Sequence, residues 1–228
     1  MFLDSIESKN SGDLVQNHVA RLDIYSESIV ASLYNAGKVS TFEVDPKSLV
    51  DLFSRVGFST GILPANTLFY EKKPDCERVA IWLPERVIEV RYESENKEIV
   101  KSLIPLPRLL FVGVKKSYGI FALPKGALAQ DTPLFQSPFP NVNNNGQICF
   151  GNIEVPKATP ETIITVSQLF FNTTFNGDLA SGKSVQYPQN VTGLWKFIDG
   201  KKKFPYRDLV PLERAYIRHL IDSSSSNH

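Results

Sequence analysis

Alternation of apolar and polar residues organises most of the first half of the chain. Arg21–Ser26 and Ile29–Asn35 alternate as strands do, Ala36-Gly37-Lys38 supplies a turn, and Val39–Val44 alternates again. The period then changes. Asp45-Pro46 offers a capping carboxylate followed by a proline suited to the first helical position. Leu49, Leu52, Phe53 and Val56 recur at helical spacing, and Gly57 is placed to end that helix. From Ile62 the two-residue period returns and predicts strands at Asn66–Tyr70, Arg78–Leu83, Val87–Tyr92, Leu109–Val114 and Tyr118–Leu123. Pro84-Glu85 and Lys115-Lys116-Ser117 read as tight connections between neighbouring strands, and the charged stretch from Arg91 to Lys101 as an exposed loop or a strand end. The expected arrangement is an antiparallel β-meander.

The last third is different in kind. Val155-Pro156-Lys157-Ala158 reads as a linker, and Thr159-Pro160-Glu161 opens a second helix, with Thr159 as its cap and Glu161 near its positive end. Ile163, Ile164, Val166, Leu169, Phe170 and Phe171 make that helix apolar on most of its circumference, so it belongs in the core; it stops near Asn176-Gly177. A short element is expected through Leu194-Trp195-Lys196-Phe197, and a last helix over Pro211–Ile221. Residues 1 to about 20 are polar and weakly patterned, and Ser223–Ser226 reads as a frayed tail. Strands first and helices later define an α+β class with an antiparallel sheet.

Composition narrows the function more than the fold. A net charge of +1 gives no push toward nucleic acid or an anionic membrane. The run Lys201-Lys202-Lys203 lacks an accompanying series of aromatic residues and reads as a solvated turn. No apolar run approaches the roughly 18 residues that span a bilayer. Met1-Phe2-Leu3-Asp4-Ser5 lacks the basic-then-apolar pattern of a secretory signal, so the expectation is a cytoplasmic protein whose two cysteines, Cys76 and Cys149, are free thiols. Two distant cysteines and three scattered histidines make no metal site, and no cofactor is expected.

The chemistry concentrates in Pro138-Phe139-Pro140-Asn141-Val142-Asn143-Asn144-Asn145-Gly146-Gln147-Ile148-Cys149-Phe150. Two prolines deny helix and impose an extended entry, so Pro140 shapes the loop. Asn145-Gly146 is the strongest local turn signal in the chain, with Gly146 supplying the positive φ that such a turn demands. Ile148-Cys149-Phe150 then reads as a short strand or ledge presenting one thiol. A reversal at Gly146 folds Asn141 back toward Cys149, eight residues on. One soft nucleophile and one neutral amide donor suffice for acyl transfer through a thioester, because sulfur attacks well even when little of it is thiolate. The bland alternatives are that Cys149 is a small buried hydrophobe and that Asn141 merely bonds the backbone of its turn.

Pro140-Asn141-Val142, the turn at Gly146 and Ile148-Cys149 resemble the signature of ubiquitin-conjugating enzymes, in which a His-Pro-Asn tripeptide precedes the thioester-forming cysteine at the same interval. The run from Leu106 to Phe175 is more closely similar to the prokaryotic ubiquitin-conjugating-like (UBC-like) family D, that of PRTRC system protein B. Pro107-Arg108-Leu109-Leu110-Phe111, Phe121-Ala122-Leu123, Thr132-Pro133-Leu134-Phe135, Gly146-Gln147-Ile148-Cys149-Phe150-Gly151, Phe170-Phe171 and, upstream, Trp82-Leu83-Pro84 carry that likeness. The resemblance implies a UBC-like fold with an N-terminal α/β extension. The expected division is 1–100 for the extension, or one continuous domain, 101–222 for the core with the cysteine loop, and 223–228 for a disordered tail.

What the resemblance implies for function is a bacterial thioester carrier. Cys149 would accept a ubiquitin-like protein from a ThiF-like activating enzyme, and Asn141 would donate to the oxyanion when an amine attacks. Partners of the same cassette would include a JAB-type metalloprotease and a ParB-related protein. Asp178 is the one nearby candidate for the acid that positions an incoming lysine; its plainer reading is a surface-loop aspartate. Phe139 departs from the family pattern by standing where the tripeptide has histidine. Two alternatives stay open: a catalytically silent adaptor that binds a ubiquitin-like partner, and a cysteine hydrolase using His18, His219 or His228 as base.

Overall fold

The computed structural model describes residues 20–25, 28–35, 38–48, 60–73, 76–94 and 96–222. The chain divides into two compact units, 1–61 and 62–228. In the first, β1 (Ala20–Ile24), β2 (Ile29–Asn35) and β3 (Lys38–Val44) form a three-stranded antiparallel sheet, as their alternation requires. Ala31 pairs with both Leu22 and Phe42, so these apolar side chains share one face. Asp45 caps as expected, its carboxylate accepting from the Ser48 N–H at 3.2 Å. Residues 46–48 are helical. The helical positions at Leu49, Leu52, Phe53, Val56 and Gly57 lie outside the described residues, as do the polar start and the serine tail.

The second unit is built on a six-stranded sheet in the order β12-β10-β9-β8-β5-β4. Its strands are β4 (Thr67–Lys73), β5 (Cys76–Leu83), β8 (Leu109–Val114), β9 (Ser117–Ala122), β10 (Pro133–Gln136) and β12 (Pro211–Tyr216). A second, three-stranded sheet holds β6 (Arg86–Glu93) between β7 (Ile99–Leu106) and a short parallel strand, β11 (Thr174–Phe175). The simple meander therefore needs correction. Pro84-Glu85 joins β5 to β6, but these lie in different sheets, and β5 pairs with β8 instead. The cause is visible in the side chains. Val79-Ala80-Ile81 is wholly buried and suits the interior of a sheet covered on both faces, whereas β6 and β7 alternate in burial and form a hairpin of their own.

Residue 100, where the sequence placed the end of an extension, falls inside β7, and the strands from Thr67 to Leu106 pair within this second unit. Two further elements differ from expectation. Of the two readings of Arg91–Lys101, the strand end holds at Arg91–Glu93, which finish β6, and Ile99–Leu106 is a further strand. The stretch Pro211–Ile221 is a strand followed by the helix α3 (Ile217–Asp222), because β10 needs an outer partner and β12 supplies it.

The six-stranded sheet separates two apolar clusters. On one face Val79, Ile81, Phe111, Ile120 and Ala122 meet α1 (Ile163–Asn172) and α2 (Val191–Ile198). On the other, Ala80, Leu110, Val112 and Phe121 meet Leu134, Ile217 and Leu220. Helix α1 starts later than expected, with Thr162 rather than Thr159 at its N-cap, and Thr159 instead closes the turn that leads into it. The Thr159 hydroxyl accepts from the Thr162 N–H at 3.3 Å, and Thr162 Oγ1 accepts from the Thr159 N–H at 2.9 Å. Gly113 sits where a side chain has no room, since a Cβ there would meet the Ala158 Cβ at 2.5 Å and the Tyr118 ring at 2.9 Å. Gly113→Ala is expected to lower stability by about 1–3 kcal/mol through overpacking, read as a fall in the urea midpoint at unchanged slope. An unaltered midpoint would mean that this contact yields freely.

Candidate active site

The cysteine loop is anchored at its entry by one ring. Phe139 is fully buried and lies 5.4–5.8 Å, centroid to centroid, from Phe170, Phe171, Phe175 and Trp195. The Trp195 indole N–H donates to the Pro138 carbonyl at 2.9 Å, so the prolines are pinned as well as stiff. Pro140 is buried between this anchor and the loop proper.

Asn141 then turns the chain with φ of 59°, a conformation asparagine tolerates better than most residues. Its N–H donates to the Asp178 carbonyl at 2.8 Å, and its carbonyl accepts from the Cys149 N–H at 2.8 Å. Val142 bridges Ile148, and Gly146 closes the tip by donating to the Asn143 carbonyl at 2.9 Å. The chain reverses where expected, but one residue earlier, with Asn144 and Asn145 central and Gly146 closing the turn. Gly146 has φ of 86°, and a Cβ on it would lie 2.1 Å from the Phe121 ring, so glycine is required twice over. The returning limb is fastened to β9 through Ile120 N–H to Gly146 O and Ile148 N–H to Tyr118 O, each 2.9 Å. Cys149 leaves this ledge exposed to solvent.

Cys149 and Asn141 line one small pocket of about 110 Å³ together with Phe150, Gly151, Ile153, Phe170, Thr173 and Thr174. No histidine lines it. His219 belongs to α3, packs against Tyr216 at 5.5 Å and accepts from the Tyr216 N–H; His18 and His228 lie outside the described residues. Cys76 lines a different pocket, among Lys72, Lys73, Lys115 and Lys157. Among the described residues no group of three or more His, Cys, Asp and Glu could hold a metal ion.

Asp178 reaches the site through a neighbour that sequence reasoning passed over. Asn141 Nδ2 donates to Asn176 Oδ1 at 2.8 Å, and the Asn176 N–H donates back to Asn141 Oδ1 at 3.3 Å. Asn176 Nδ2 in turn donates to the Asp178 carboxylate at 2.8 Å. The Asn141 side chain thus ties its loop to the Asn176 segment, 35 residues on, rather than bonding the backbone of its own turn. Asp178 itself opens onto a separate polar pocket of about 340 Å³ with Glu93, Ser94, Asn190 and Lys196. The one sequence sign for Asn176 was its place in Asn176-Gly177-Asp178, which reads as a helix stop.

A second residue left no sign at all. Lys183 is only 1% exposed, and its ammonium donates to Gln136 Oε1 at 2.8 Å, to the Asn143 carbonyl at 3.2 Å and to Asn144 Oδ1 at 3.4 Å. Gln136 Nε2 donates to the Asn144 carbonyl at 2.6 Å. Nothing in Ser181-Gly182-Lys183-Ser184 separates it from an ordinary surface lysine; its burial is a product of tertiary structure.

Comparison with known families matches the model of prokaryotic E2 family D over residues 47–212, and the chain belongs to that family. Searches of curated proteins and of solved structures give no match. Membership connects the chain with ubiquitin-like conjugation systems, and the matched span contains both Asn141 and Cys149. Among the described residues no helix is long and apolar enough to cross a membrane.

Burial also shifts Lys183 from its ordinary 10.5 to about 8. Between these two values the unfolded chain holds more protons on this amine than the native protein does, so stability rises with pH across that window. At 1.36 kcal/mol per pKa unit the gain approaches about 3 kcal/mol. It is read as the difference between wild-type and Lys183→Met urea midpoints from neutral pH to beyond that window. Parallel pH profiles in the two proteins would contradict this assignment.

Proposed function

We propose that the protein is a ubiquitin-conjugating-like carrier with Cys149 as its acyl acceptor and a UBC-like core as its frame. The observation that carries this reading is the exposed Cys149 thiol in the same pocket as Asn141, with the two residues joined by the Cys149 N–H to Asn141 carbonyl bond of 2.8 Å. In loading, the Cys149 thiolate attacks the thioester carbonyl on a ThiF-like activating enzyme, and that enzyme's thiolate leaves. The exchange is nearly balanced, so the lack of a histidine base in the pocket is no obstacle. In discharge, an amine attacks the Cys149 thioester, the Cys149 thiolate leaves, and the amine's proton passes to solvent. Nucleotide and magnesium belong to the activating partner.

Asn141 serves the second step. One of its two amide hydrogens is held by Asn176 Oδ1, and the other is left for the oxyanion. The link through Asn176 to Asp178 keeps that amide oriented, and Asp178 is the candidate for receiving the incoming amine. A cysteine hydrolase is less well supported, since no histidine lines the pocket. The silent adaptor differs from the carrier in leaving Cys149 uncharged. The ubiquitin-like protein, the JAB-type metalloprotease and the ParB-related protein remain the proposed partners.

The test is loading with the cognate activating enzyme, its ubiquitin-like protein and ATP. Wild type is expected to form a thiol-sensitive adduct, Cys149→Ser a thiol-resistant ester and Cys149→Ala none. Asn141→Ala should still load, but discharge about 10²–10³-fold more slowly, the usual cost of one oxyanion donor. A partner-binding protein that never acquires an adduct would leave the adaptor.

A further inference from the structure

Beyond the bonds that Asn141 itself makes to Asp178 and Asn176, the loop that runs from it to Cys149 has two independent sets of tethers. Backbone bonds from Ile120 and to Tyr118 fasten its returning limb to β9. At Asn143 and Asn144, among the described residues, the tethers to the body of the protein are the side chains of Lys183 and Gln136. An ammonium carries three donors, and here each finds an acceptor. Two acceptors belong to the turn itself, and the third belongs to a glutamine that also holds the turn. No carboxylate forms an ion pair with Lys183 among the described residues. A buried cation without a counter-ion is expensive to keep, and its hydrogen bonds go to this turn and its glutamine tether.

We propose that Lys183 is a positioning residue for discharge of the Cys149 thioester, its ammonium fixing the Asn143-Asn144 turn and through it the placement of the Asn141 amide over the reacting carbonyl. The inference rests on the thioester reading. Without the ammonium the loop keeps its bonds to β9, so the fold and the exposed thiol persist while the turn is free to shift. Loading uses the thiol alone and tolerates that shift. Discharge uses Asn141 as well, and a displacement of about 1 Å at such a group can cost about 10²-fold in rate.

The experiment combines single-turnover discharge with a double-mutant cycle on the full chain. Lys183→Met is expected to load within about twofold of wild type and to discharge about tenfold more slowly or worse. Its Asn143 and Gly146 amides should exchange faster, with protection of β8 and β9 unchanged. In an Asn141→Ala background Lys183→Met should have little further effect, because the lysine acts through Asn141. Equal discharge by Lys183→Met and wild type, or losses that multiply in the double variant, would overturn the proposal. If Lys183→Met fails to fold, Asn144→Ala removes one acceptor from an exposed position and decides the matter. A discharge defect of several-fold that vanishes in the Asn141→Ala background supports the role, and an unchanged rate refutes it. A wild type that never forms an adduct ends the thioester reading, a result distinct from a wild type that discharges no faster than its Lys183→Met variant.

Discussion

Everything at the cysteine loop depends on the burial of one aromatic ring. Phe139 sits among Phe170 and Phe171 of α1, Phe175 of β11 and Trp195 of α2, so three separate elements converge on the residue before Pro140. Removing such a ring would forfeit about 3–5 kcal/mol and leave the loop without its foot. The surroundings also account for the departure from the histidine of the ubiquitin-conjugating signature. An imidazole there would carry a nitrogen that those four rings offer no conventional partner, whereas phenylalanine asks for none.

From that foot outward, each bond constrains the next. The positive φ at Asn141 aims its carbonyl at the Cys149 amide, and the tight tip at Gly146 returns the chain in time to meet it. The thiol is thus presented by backbone geometry rather than activated by a neighbouring base. That division suits the acyl-carrier role we propose for Cys149. A strongly activated nucleophile beside a proton shuttle would also invite water.

The strands that could be read from sequence were those whose own residues decide their conformation. The alternation in Ile29–Asn35 and Val39–Val44, and the two-residue turn at Lys115-Lys116, act locally. Much of the cysteine loop was legible for the same reason, since prolines, an Asn-Gly pair and glycine have backbone preferences that need no partner. The failures share the opposite property. Leu212, Ala215, Tyr216 and Leu220 have helical spacing, but the first part of that segment became a strand because β10 lacked an outer neighbour. Charge between Glu93 and Lys101 hid β7, whose inward residues Ser102 and Ile104 alternate with exposed Lys101 and Leu103. Lys183 could not have been found by pattern, and Asn176 showed only as part of a helix stop. Their importance comes from what lies across from them, 40 and 35 residues away in sequence.

The six-stranded sheet has a consequence for how this protein can change over time. Its two faces carry separate apolar clusters, and the anchor of the cysteine loop belongs to only one of them. Substitutions beneath β12 and α3 alter the other cluster and meet the loop only through the sheet itself, chiefly at Phe121, whose ring abuts Gly146. Changes in that half of the molecule therefore reach the loop through few contacts. Phe121 is the point at which they meet it.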